Sequence, residues 1–305
     1  MEFQGISGKF TEANAEALAV AVFKGEKAAS GLLADLNKLT GGALAAVLKS
    51  EDFKGEKGET ALLRFAPKGK VKARSLMLIG VGDKADYSPA QAGVAAGSAT
   101  RYLRTRNNKS FAFLPRHDGD VVMAAQTCAQ GFVTSQFELD KYKTKDKKDK
   151  TVNKFVLCID GASAGDLKKG LDRGRVVGES MNFTRDLANE PPNILTPTEM
   201  ANRAQKMAKE AGLKCEILDE AKMEKLGMGS LLSVSRGSTQ PAKLIVLRYT
   251  PTKNTGKKGE LLALVGKGIT FDTGGISLKP GDGMDAMKYD MSGGATVLGT
   301  MRAVA

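Results

Sequence analysis

Two lysines and two aspartates near the end of the chain are spaced for chemistry. Lys267, Asp272 and Lys279 lie in Gly266-Lys-Gly-Ile-Thr-Phe-Asp-Thr-Gly-Gly-Ile-Ser-Leu-Lys-Pro280. Asp290 follows in Met287-Lys-Tyr-Asp-Met-Ser-Gly-Gly-Ala295. Aspartate oxygens are hard ligands suited to Mg²⁺, Mn²⁺ or Zn²⁺. Two carboxylates that share a site repel one another unless a cation neutralises them. Lys267 stands five residues before Asp272 in a glycine turn that can bring both inward. A lysine beside a metal cation gives up its proton readily, so its neutral amine can itself become a ligand. Lys279 follows a second glycine pair and can stay charged, facing a substrate oxyanion. The plainer alternative is a set of turn aspartates and solvated lysines, and the residues alone leave both readings open.

Other chemistries fit less well. The sequence holds a single histidine, His117, in the loop-like run Pro115-Arg-His-Asp-Gly119, which excludes a His-rich metal site and an HExxH protease. One GxSxG match, Gly161-Ala-Ser-Ala-Gly165, puts Ser163 after the histidine, the reverse of the order in hydrolases with that elbow. Ser163 therefore reads as a small-residue loop and His117 as an exposed loop side chain. Lys267 precedes Gly268 rather than Ser or Thr, so a phosphate loop is excluded. Phe271 occupies the last glycine position of a dinucleotide fingerprint. Gly80-Val-Gly-Asp-Lys-Ala85 opens no helix before Pro89 and is read as a turn. Cys128, Cys158 and Cys215 form no CxxC and sit in apolar stretches, as reduced buried thiols do. The net charge of +12 invites a nucleic-acid reading. Its densest cluster, however, from Lys141 to Lys150, is diluted by Asp140, Asp146 and Asp149, and only Tyr142 interleaves. That pattern fits a solvated loop, with no stacking platform.

The elements that must position the four residues follow from periodicity. Strand-like runs at Ala17–Gly25, Ala61–Phe65, Ser75–Val81, Phe111–Leu114 and Phe155–Ile159 alternate with helical patterns at Gly31–Ser50, Pro89–Thr105 and Asp120–Gln136. Ser88 and Pro89 make an N-cap and first helical residue. Such alternation predicts an α/β fold with a mostly parallel sheet and flanking helices over residues 1–160. A bridging helix at about 167–187 opens a second α/β domain, residues 161–305. The turn Asn189-Glu-Pro-Pro-Asn193 follows, then a helix capped by Thr196, Pro197 and Glu199 in a capping box. Strands are predicted at 215–218, 231–234, 244–249 and 261–265, with a helix at 220–226, a polar linker at 251–259, and an apolar helix over 295–305. The chemistry-bearing loop then begins where a buried strand ends, the usual ligand position in an open α/β sheet. No apolar run approaches the ~20 residues of a membrane helix. The first residues lack a signal peptide's basic leader, so a cytoplasmic, unprocessed protein is expected.

The stretch Val265–Pro280 and the stretch Met287–Ala295 resemble the leucyl aminopeptidase (cytosol aminopeptidase) family of dinuclear metallopeptidases. Asn189-Glu-Pro-Pro-Asn-Ile-Leu-Thr-Pro197, the helix before it and the layout of the first domain support the resemblance, whose specific motifs lie in residues 180–305. The resemblance implies that Lys267 binds one metal through its neutral amine. It implies that Asp272 bridges two divalent ions, Mn²⁺ or Zn²⁺, and that Asp290 binds the ion held by Lys267. Lys279 becomes the catalytic lysine that polarises the scissile carbonyl or steadies the oxyanion. Met287 lines the pocket for the substrate's first side chain. The implied reaction is release of N-terminal, leucine-like residues from peptides, by a cytoplasmic hexamer.

The family's second signature, Asn-Thr-Asp-Ala-Glu-Gly-Arg, does not occur in these 305 residues. It supplies a further Asp, a bridging Glu and an Arg. The sequence also stops inside an apolar helix, so a truncated chain with an incomplete second domain is expected, inactive by itself. The rival expectation is a non-catalytic module whose basic surface binds nucleic acid or a partner protein.

Overall fold

The computed structural model describes residues 1–67, 69–116, 119–251 and 260–305; His117 and residues 252–259 of the polar linker lie outside them. The described residues form two compact units, Met1–Glu179 and Ser180–Ala305. The first holds strands β1 (Glu2–Ile6), β2 (Ala17–Val22), β3 (Thr60–Arg64), β4 (Ser75–Gly80), β5 (Ser110–Leu114) and β6 (Lys154–Cys158). Its helices are α1 (Gly31–Leu39), α2 (Ala43–Lys49), α3 (Pro89–Thr105), α4 (Val121–Thr134) and the first half of α5 (Ala164–Asn189). The sheet runs in the order β1-β6-β5-β2-β4-β3, and only β3 is antiparallel to its neighbour. This is the α/β architecture with a mostly parallel sheet that the alternation predicted.

Strand period decides which helices cover which face. In β2, Ala17, Ala19 and Ala21 point into a core shared with α3, α4 and Leu167 and Leu171 of α5. Leu18, Val20 and Val22 point into the core under α1 and α2. The alanine face is covered by helices that approach closely. A Cβ on Gly131 of α4 would run into the Gly93 carbonyl of α3, so no larger residue fits at that crossing. Beside it, Phe3, Phe111, Phe132 and Phe155 form one aromatic cluster; Phe132 and Phe155 stack at 4.7 Å between centroids and 20° between planes. Phe132 is fully buried. Phe132→Ala is expected to cost ~3–5 kcal/mol of stability, read as a fall in the urea midpoint of the whole chain; an unchanged midpoint would show that the cluster does not support the fold.

Several sequence expectations meet the structure directly. Ser88 and Gln91 complete a capping box at α3, and Asp120 caps α4 through the Met123 amide. The single helix expected over 31–50 is two, because Gly41 and Gly42 adopt φ of 62° and 93° between them. Strand β1, which the sequence reading passed over, lies beside β6 at the sheet edge. Ser163 accepts the Asp166 amide at 3.4 Å at the start of α5, a structural use of its hydroxyl. Cys128 and Cys158 are buried and Cys215 half-buried, all three as free thiols. Burial pushes the Cys158 thiol up to about 12. Residues 141–150 are exposed throughout.

The second unit holds the end of α5, then α6 (Pro197–Ala211), β7 (Lys214–Leu218), α7 (Glu220–Lys225), α8 (Gly229–Ser235), β8 (Leu244–Arg248) and α9 (Ser292–Val304). β7 and β8 pair antiparallel. Leu187, Leu195, Met200, Ala204, Met207, Met291, Ala295 and Leu298 form its core. Two predicted strands are absent. Residues 231–234 are helical in α8, where only Leu232 is buried while Leu231 and Val234 face solvent. So short an apolar run fits either period. Residues 261–265 are unpaired, with Leu261 87% and Val265 94% exposed. No strand among the described residues pairs with them, and a ladder needs a partner. The loop that follows therefore does not leave a buried strand. The capping box expected at α6 is half formed. Thr196 accepts the Glu199 amide at 3.3 Å, but the Glu199 carboxylate turns to the Arg203 guanidinium at 2.8 Å. The guanidinium offers that carboxylate a charged donor where the N-cap amide offers a neutral one. Among the described residues, no helix is long and apolar enough to cross a membrane.

Candidate metal centre

Glycines bring the two ends of the chemistry-bearing sequence together. The Gly294 amide, in the first turn of α9, donates to the Lys267 carbonyl at 2.6 Å. A Cβ on Gly266 would run into the Gly293 carbonyl, so this backbone contact requires glycine. The contact carries the Lys267 ammonium to 3.0 Å from Asp290 Oδ2.

The second half of the site is a tight turn. Gly274 adopts φ 91° and Gly275 φ 70°, left-handed values that favour glycine. The Lys279 amide closes the turn on the Thr273 carbonyl at 2.9 Å. Asp272 Oδ1 accepts the Gly274 amide at 2.9 Å, and Asp272 Oδ2 accepts from Lys279 Nζ at 2.8 Å. The Lys279 hydrogen bond, then the Gly274 amide and the charges of Lys279 and Lys267, hold the Asp272 carboxyl below the usual carboxylate range. Lys267 thus acts on both aspartates, which links the two pairs. On its other side Lys279 Nζ meets Met287 Sδ at 3.0 Å.

Met287 and Asp290 sit on a 3₁₀ turn, Met284–Met291, that runs into α9. The turn is anchored where Met291 enters the core and where Ser292 Oγ donates to the Tyr289 carbonyl at 2.6 Å. All five residues singled out from the sequence therefore lie in one place, as the pairs Lys267–Asp290 and Lys279–Asp272 with Met287 beside Lys279.

The donor set suits a divalent cation. Asp290 Oδ2 is buried and has no hydrogen bond; its 3.0 Å contact with Lys267 is an ion pair without hydrogen-bond geometry. A buried carboxylate oxygen left in that state is costly unless something further takes it. The set is also small. Among the described residues, no group of three or more His, Cys, Asp or Glu side chains is gathered around a possible ion.

The sequence reading attached no chemistry to the turn after α5. There the Tyr289 hydroxyl donates to Asn189 Oδ1 at 3.3 Å, and Asn189 Nδ2 donates to the Arg185 carbonyl at 2.7 Å. The Glu190 side chain, 1% exposed, pairs with Arg203 at 2.8 Å. The only signal was the density of polar residues and prolines in Asn189–Asn193.

Comparison with known proteins gives consistent results. Residues 182–305 match the sequence model of the cytosol aminopeptidase family's catalytic domain, and residues 19–146 match that of the same family's N-terminal domain. A probable cytosol aminopeptidase of Solibacter usitatus is 43% identical over 291 residues, 95% of this chain and 57% of the relative. The cytosol aminopeptidase of Pseudomonas aeruginosa is 40% identical over 94% of this chain and 58% of its own length. The chain thus spans under two thirds of the curated relatives it matches. Among solved structures, a mutant of tomato leucine aminopeptidase superposes with a TM-score of 0.84 at 26% identity, over all of this chain and 59% of that one. The bottromycin maturation enzyme BotP in complex with Mn superposes with a TM-score of 0.73 at 26% identity, over 95% of this chain and 56% of that one.

Proposed function

The chain belongs to the cytosol aminopeptidase family, and from that premise we propose that it provides the Lys267–Asp290 part of a metal-dependent aminopeptidase that releases leucine-like N-terminal residues from peptides. The observation that carries this reading is the pairing of Lys267 with a buried Asp290 oxygen that has no hydrogen bond, next to the pairing of Lys279 with Asp272. Two divalent ions, Mn²⁺ or Zn²⁺, would supply Lewis acidity, activation of water and a hold on the substrate's free amine. Asp272 would be the ligand the two ions share. Asp290 and the amine of Lys267 would hold one ion. Lys279 would aim its side-chain nitrogen at the substrate carbonyl oxygen. Met287 borders that position and lines the pocket for the first side chain. On the same reading the protein works in the cytoplasm and assembles as a hexamer. The rival, a basic module that docks nucleic acid, has no comparable support. Its basic loop is exposed, carries interspersed aspartates, and includes the pairing of Lys147 with Asp140 at 3.9 Å.

Asp272→Asn tests the ligand assignment. The amide keeps a hydrogen-bond acceptor for Gly274 but removes the negative charge. Bound Mn²⁺ or Zn²⁺, counted by elemental analysis after dialysis, is expected to fall at least about tenfold with little change in fold. Unchanged metal content in Asp272→Asn and in Asp290→Asn would remove both residues from the metal site.

A further inference from the structure

We propose that Asn189 and Tyr289 are positioning residues for Asp290: their hydrogen bond fixes the 3₁₀ turn that carries the carboxylate to Lys267. The inference rests on the reading of Asp290 as a metal ligand and adds to it a pair of residues that touch neither metal nor substrate.

Asp290 is bracketed in sequence by two residues that the structure ties down differently. Met291 is fully buried in the core of the second unit. Tyr289 is 45% exposed and lies outside that core, with the Lys288 ammonium 5.0 Å from its ring centroid. It is held instead at its two polar ends, the carbonyl by Ser292 Oγ at 2.6 Å and the hydroxyl by Asn189 Oδ1 at 3.3 Å. The Asn189 amide cannot turn freely, because its nitrogen is committed to the Arg185 carbonyl at 2.7 Å and its oxygen therefore faces the tyrosine.

Asn189 is in turn the last residue of α5, at a turn that is itself secured. The next side chain, Glu190, is buried and pairs with Arg203 of α6, which also binds Glu199 at 2.8 Å. Pro191 and Pro192 restrict the backbone beyond it, and the Pro191 carbonyl accepts the Ile194 and Leu195 amides, both at 2.9 Å. A rigid corner therefore presents one amide oxygen to the residue beside Asp290. Outer contacts of this kind matter because a metal site tolerates little error in where its ligands stand. They account for a polar motif that the ligand set alone leaves without a role.

The test uses Mn²⁺ titration of the 305-residue chain followed by electron paramagnetic resonance, with thermal unfolding in parallel. Tyr289→Phe removes one hydroxyl from a half-exposed ring and is expected to weaken Mn²⁺ binding about three- to tenfold while the melting temperature stays where it was. Asn189→Ala should weaken binding by the same factor. The double variant should be no weaker than Asn189→Ala alone, because that change has already removed the contact with Tyr289. If Tyr289→Phe binds Mn²⁺ as tightly as the unaltered chain, or if the two single effects add in the double variant, the positioning role is overturned. If the unaltered chain takes up no Mn²⁺ at all, the ligand reading of Asp290 fails first and this inference with it.

Discussion

A protein made of residues 1–305 alone is expected to show no metal-dependent hydrolysis of leucyl amide, even with excess Mn²⁺. The ligands proposed for it are Lys267, Asp272 and Asp290, and no third carboxylate, histidine or thiol joins them among the described residues. Two carboxylates cannot balance the charge of two divalent ions, so the second ion should be lost first, and the two-ion hydrolysis proposed above would be lost with it. The family resemblance places a further Asp, a bridging Glu and an Arg in a segment that these residues do not contain. Joining residue 305 to the remaining stretch of the Solibacter relative is expected to restore turnover. The assay is leucyl-amide hydrolysis by the two proteins at equal concentration. Comparable metal-dependent turnover by both would show that the missing ligands are dispensable and that the site has been misread.

In that joined protein, Lys279→Ala should lower turnover by about 10²–10³, the usual loss when one aimed donor to a developing oxyanion is removed. Metal content should not fall. In the structure Lys279 Nζ sits 2.8 Å from Asp272 Oδ2, where it competes with any cation for that carboxylate, so deleting it removes a rival of the metal rather than a ligand. The paired measurements of turnover and bound metal separate this role from that of Lys267, whose removal should depress both. Turnover near the unaltered level would take Lys279 out of the chemistry, and a parallel loss of metal would recast it as a ligand.

The candidate site was legible as a cluster because it is nearly contiguous. Lys267, Asp272, Lys279, Met287 and Asp290 lie within 24 positions, and the glycines that bring them together are written between them. Asn189 and Tyr289 were not, since a hydrogen bond between residues 100 positions apart leaves no local pattern. In the first unit, β2 and β4 were readable as short, unbroken apolar runs and α3 by its cap and its 17-residue length. Strand β1 was missed because it is an edge strand interrupted by Gly5, whose lack of a side chain makes room for Leu167: a Cβ there would sit 2.8 Å from Leu167 Cβ. The segment 261–265 was misread for the opposite reason. Its composition is that of a strand, but pairing is a property of two segments, and composition reports only one.

Any attempt to separate the two units by cutting the chain meets α5. A cut at residue 160, where the last strand of the sheet has already ended, looks clean on paper. It would carry away Leu167 and Leu171, both buried against the alanine face of the sheet, and with them the turns whose Gly170 and Gly174 lie flush on α4. The severed piece would expose a raw apolar strip along β1 and α4, the kind of surface that draws chains into aggregates. The shortest N-terminal fragment with its surface intact therefore ends near residue 179, in mid-helix, and carries with it half of an element that a domain diagram would assign to its neighbour.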